Sequence, residues 1–135
     1  MNFVLKKTSK FTSSGILKYS DNFWLVLYVD DEISHYYRHL LPLSYDIQKP
    51  MYNSHITVIR PQYEMPIDLE VWGAYNEEQI SFQYDNHIYM DGVYYWLNVY
   101  STRLEDIREE LGLKRLPGSF EAFHITIGNN KEGLK

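Results

Sequence analysis

"NSHITVIRP" (residues 53–61) and "EAFHITIGNN" (residues 121–130) share the word His-Ile-Thr. In an extended strand successive side chains point to opposite faces. His55 and Thr57 then share one face, with Ile56 and Val58 on the other. His124 and Thr126 repeat the arrangement against Ile125 and Ile127. Each strand offers an imidazole and a hydroxyl on one side and two branched apolar anchors on the other. The chain has only five histidines. Two of them in one repeated word suggest a single site made of two similar halves. The competing reading is two half-exposed strands that share a habit of alternation.

The surroundings of the two words are also alike. "FWLVLYVD" (residues 23–30) reads as a strand by its aromatic and β-branched content. "DDEISHYYRHLLP" (residues 30–42) opens on two aspartates and closes on Pro42, the pattern of a short helix. In it Ile33, Tyr36, Tyr37 and Leu40 are expected on one face, and Asp30, Asp31 and Glu32 read as a helix start rather than a metal cluster. The first His-Ile-Thr strand follows, and Pro61 stops it. After a polar linker, "QISFQYDNHIYM" and "VYYWLNVYS" flank Asp91-Gly92, a hairpin signal. A second helix starts at Ser101 or Thr102, with Thr102 and Glu105 as a capping box and Leu104, Ile107 and Leu111 on one face. The loop "KRLPGSFEAF" leads into the second His-Ile-Thr strand.

Each such strand thus follows a helix. The expectation is one domain over residues 1–135: an α+β fold, duplicated, with a mostly antiparallel central sheet, two main helices and a cleft between the halves.

Composition narrows the classes. With 135 residues the chain can bury a real core. It has no cysteine, hence no disulfide and no thiolate. No apolar run approaches a membrane span, and the N-terminal stretch has no signal-peptide core. A cytoplasmic protein is expected, with no membrane partner. The formal charge of −5 argues against coating long nucleic acid. Thirteen Tyr, six Phe and three Trp are many aromatics. They fill cores first, but they are also the groups on which unpaired bases stack.

The repeated word suits one chemistry. A pair of imidazoles in opposite protonation states supplies base and acid together. Two threonine hydroxyls donate to the non-bridging oxygens of a phosphate. In-line displacement at phosphorus follows, with no metal and no protein nucleophile. The attacking group then comes from substrate or water.

Paired His-hydrophobic-Thr motifs resemble those of the 2H phosphoesterase superfamily, whose members act on 2′,5′ links and 2′,3′-cyclic phosphates. "NFWLVLYVDDEISHYYRHLLP" and "LPGSFEAFHITIGN" look like the phage anti-CBASS nucleases that destroy cyclic-oligonucleotide alarm signals. The resemblance implies a metal-independent attack by a ribose 2′-OH on the adjacent 3′,5′-phosphodiester of cyclic di- and trinucleotides such as cGAMP. His55 and His124 would be acid and base, and Thr57 and Thr126 would hold phosphate. No cofactor is implied. Those enzymes close a C-terminal segment over the ligand. Here only residues 127–135 follow Thr126, so a lid is expected to come from elsewhere, to come from a partner subunit, or to be missing.

Phe23, Trp24 and Tyr28 around the first strand, and Tyr94, Tyr95 and Trp96 on the hairpin, are candidates of which one or two sandwich a base; the resemblance implies a stacking aromatic in the N-terminal third, Tyr19 or Phe23. Arg60 and Arg115 are candidate phosphate contacts, and Glu121 a candidate for a base edge or for orienting His124. His35 and His39 are expected to face solvent and His87 to be structural. An RNA-end-processing enzyme with the same four residues, and a nucleotide-binding sponge without turnover, are the alternative functions.

Overall fold

A computed structural model describes residues 2–4, 10–118 and 120–130. Its elements are β1 (Asn2–Val4), β2 (Lys10–Tyr19), β3 (Leu25–Val29), α1 (Asp31–Leu40), β4 (His55–Ile59), β5 (Gln79–Met90), β6 (Tyr94–Tyr100), α2 (Thr102–Glu110) and β7 (Phe123–Asn129). All strand pairings are antiparallel.

The order β5-β2-β3-β4-β7-β6 closes on itself because β5 also pairs with β6. The fold is a closed six-stranded antiparallel β-barrel with two helices. It is not the duplicated α+β domain expected from the sequence, because among the described residues the sheet closes into a ring instead of lying open between two halves. The overturning element is β2, which lies between β3 and β5 and joins them into a ring. Its sequence, KFTSSGILKY, buries only Gly15 and Leu17. Such a polar segment carries little strand signal of its own.

Closure also depends on β5. Residues Gln79–Asp85 pair with β2 on one edge, while β6 pairs along the other. The β5–β6 register shifts between Tyr84 and Ile88. Such a bulge bends and twists a strand, as closure requires. The Asp85 carboxylate accepts from the His87 amide there at 3.0 Å. Gly15 is needed for close approach, because a Cβ would run into the Tyr28 carbonyl oxygen and the Leu27 side chain.

Strands β3 and β6 run in opposite directions, so α1 and α2, which follow them, sit at opposite ends of the barrel. On α1 the buried residues are Ser34 and Tyr37. Tyr36 is 58% exposed, so the inward face differs from the one expected. Asp30 caps α1 through the Glu32 amide at 2.9 Å. On α2, Leu104, Ile107 and Arg108 are buried. Its cap is Ser101, and Glu105 binds Arg115 instead of forming a box with Thr102. Among the described residues, no helix is long and apolar enough to cross a membrane.

Candidate phosphate-handling site

The two His-Ile-Thr strands are neighbours in the ring. Strands β4 and β7 pair with Ile56 opposite Ile125. Leu27 flanks Ile56 on β3, and Leu97 flanks Ile125 on β6. All four side chains are fully buried. They form one inward rung of the barrel. Burying each contributes about 1.5–3 kcal/mol. A one-residue slip would turn the imidazoles inward and the isoleucines out, so this rung pins the register.

The same register places the polar residues on the outer face. Continued one residue either way, it sets His55 across from Thr126 and Thr57 across from His124. Each histidine thus faces the other strand's threonine. His55 and His124 are diagonal neighbours, whose backbone positions in antiparallel pairs are about 7–8 Å apart. The site stands on the outside of the barrel wall.

The two imidazoles have different surroundings. His55 Nδ1 lies 2.8 Å from the Asn53 carbonyl oxygen. A carbonyl can only accept, so Nδ1 carries the hydrogen and Nε2 is left to exchange protons with a ligand. The strand start is itself held, since Asp31 Oδ1 accepts from the Ser54 amide at 2.7 Å and Ser34 Oγ bonds Ser54 Oγ. His124 lies between Trp96, at 5.4 Å between ring centroids, and Phe120, at 4.8 Å and edge-on. Burial among these rings lowers its pKa below the ordinary 6.5. At neutral pH His124 is therefore uncharged and ready to accept a proton.

All four motif residues line one cavity of about 740 Å³. Its other walls come from within residues 58–64, 114–118 and 120–123, so the loop before β7 gives the site a side wall. Residues 131–135 lie outside the described set. Arg60 and Lys114 bring positive charge to the cavity, and Glu64 is the only carboxylate among its described lining residues. The guanidinium of Arg60 lies 5.7 Å from the Trp24 ring and 5.6 Å from that of Tyr63. Glu64 is already engaged by Arg108. Arg108 is fully buried and donates to both Glu64 carboxylate oxygens, at 2.5 and 2.8 Å. It also donates to the carbonyls of Val58 and Lys114, each at 2.7 Å. One side chain thus ties together β4 and both cavity loops.

The other expected residues are placed as follows. Arg60 lines the cavity and Trp24 reaches it through Arg60. Tyr19 and Phe23 do not line it; both pack edge-on against Trp72. Glu121 is exposed and stands outside the lining. Arg115 is held by Glu105, Asp106 and Glu109 of α2 and its charge is satisfied there. His35 and His39 are exposed on α1, their rings 4.1 Å apart. Among the described residues, no three of His, Cys, Asp or Glu converge as a metal site would need. Sequence reasoning missed Arg108 and Glu64. The available signal was that Arg108 stands four residues after Leu104 and one after Ile107, a charge on the apolar face.

No protein-family model, no curated protein and no solved structure matches the chain.

Proposed function

We propose that the chain is a phosphodiesterase of the 2H type, cleaving 3′,5′ bonds of cyclic oligonucleotides without a metal. The observation that carries this reading is the Ile56–Ile125 pairing, which turns two imidazoles and two hydroxyls to one outer face above a cavity carrying Arg60 and Lys114. The likeness to the 2H phosphoesterases rests on this paired motif and not on the fold.

His124, uncharged at neutral pH, takes the proton of the ribose 2′-OH. The 2′ oxygen bonds to phosphorus as the bond from phosphorus to the 5′ oxygen breaks. His55, with Nδ1–H held by the Asn53 carbonyl, gives the proton on Nε2 to that leaving oxygen. Thr57 and Thr126 donate to the non-bridging oxygens, and Arg60 and Lys114 offset their charge. The products are a 2′,3′-cyclic phosphate on one nucleotide and a 5′-hydroxyl on the next. In a ring this gives a linear oligonucleotide, which water at the same site can convert to a 3′-phosphate. Acting in the cytoplasm, of a host cell if the chain is phage-encoded, such an enzyme removes the messenger of CBASS antiphage defence.

The test is mass spectrometry of cyclic di- and trinucleotides, and of an RNA with a 2′,3′-cyclic end, after incubation with protein in EDTA. His55→Ala/His124→Ala is the control. Ring opening by wild type alone, with a 2′-deoxy analogue left intact, is expected. Turnover of the RNA end alone assigns an end-processing enzyme. Tight binding with intact ligands assigns a sponge.

A further inference from the structure

Each of the two imidazoles has an exposed aromatic ring beside it. Tyr28 stands opposite His55 on β3, its ring centroid 6.3 Å from the imidazole, and is 47% exposed. Phe120, on the loop before β7, lies 4.8 Å from His124, lines the cavity and is 57% exposed. A single exposed aromatic is ordinary on a protein surface. Two of them, one beside each histidine of a diagonal pair, are not explained by packing. Neither residue belongs to the buried core cluster or to the partly buried hydrophobics against it. The other ring beside His124, Trp96, is occupied by its stack on Tyr89, with centroids 6.0 Å apart and planes within 16°.

Resting on the function proposed above, we infer that Tyr28 and Phe120 are base-stacking subsites on opposite sides of the scissile phosphate. The roles of the two histidines assign the sides. His124 takes the 2′-OH proton, so the nucleoside that carries the attacking hydroxyl lies towards Phe120. His55 protonates the leaving 5′ oxygen, so the departing nucleoside lies towards Tyr28. The site then holds an internal diester between two nucleosides. A ligand ending in a 2′,3′-cyclic phosphate fills the Phe120 side alone.

The experiment is equilibrium binding of two probes that need no turnover. One is 2′-deoxyadenylyl-(3′→5′)-adenosine, which has no attacking hydroxyl. The other is adenosine 2′,3′-cyclic phosphate. Base–aromatic stacking corresponds to a loss of about 5- to 150-fold on replacement by alanine. Phe120→Ala is expected to weaken both probes by such a factor, and Tyr28→Ala the dinucleotide alone. Tyr28→Phe and Phe120→Trp keep a ring and are expected to keep affinity, which separates stacking from a folding defect. Equal affinity of wild type and both alanine variants for the dinucleotide overturns the inference. So does a Tyr28→Ala loss that is equal on both probes, or a wild type that binds neither. If the binding pattern holds but the matching ribodinucleotide is never cleaved, the subsites stand and the proposed function falls.

Discussion

Replacing Glu64 by alanine strands the Arg108 guanidinium beneath the cavity. In the native protein this group has no solvent exposure, while the Glu64 side chain retains 17%. The carboxylate supplies the countercharge and two of the four bonds to Arg108 acceptors. After Glu64→Ala only two neutral carbonyls remain. Breaking a buried pair from one side costs about 3–5 kcal/mol. For a domain of ordinary stability, about 5–15 kcal/mol, that is a large share. The companion Glu64→Leu/Arg108→Met replaces both charges by apolar side chains, and such exchanges are often close to neutral. The double variant is therefore expected to recover at least half of the loss. Urea unfolding of wild type, single and double variants, followed by far-UV circular dichroism and fitted by linear extrapolation, measures both quantities. A Glu64→Ala cost below about 1 kcal/mol would show that water reaches Arg108 and that the pair does not hold the cavity loops.

Burial lowers the His124 pKa below 6.5, so as pH falls the unfolded chain takes up this proton first. The His124 contribution to stability is full above about pH 6.5 and is lost as pH drops from there through the folded value. Urea midpoints at about pH 7.5 and about pH 5.5 are expected to differ less in His124→Asn than in wild type; equal differences would remove burial as the cause. In activity, His55→Ala and His124→Ala are each expected to lose about 10²–10⁴-fold in kcat. The double variant should be little worse than the weaker single, because the two act in one step, and losses that multiply would argue for separate roles. Gly15→Ala is expected to cost about 1–3 kcal/mol by forcing β2 away from β3, and an unchanged unfolding midpoint would mean that close approach at Gly15 is not needed for closure.

Local pattern was enough for most elements. The alternation in His55–Ile59 and Phe123–Asn129, the acidic start of α1 and the Asp91-Gly92 turn are short-range signals, and each element lies where they put it. The polar face of the two repeated words was readable for the same reason, since alternation alone decides which side chains share a side. Ring closure was not readable. It depends on β2, whose serines, threonine and lysines pack little and whose place is set by pairing with two distant strands. The family resemblance made Tyr19 and Phe23 candidate ligand contacts, yet Trp72, far along the chain, draws them into packing of their own.

By itself, the sequence determined the chemical kit of two imidazoles and two hydroxyls, each pair held to one face by the period of a strand. Only the tertiary structure decided that the two faces are one face. The pairing of Ile56 with Ile125 sets each histidine against the other strand's threonine, and the charge of Arg108 draws both cavity loops to the same place. Both are contacts between residues far apart in the chain, made favourable by burying apolar side chains in one case and by satisfying a buried charge in the other, and local pattern names neither partner.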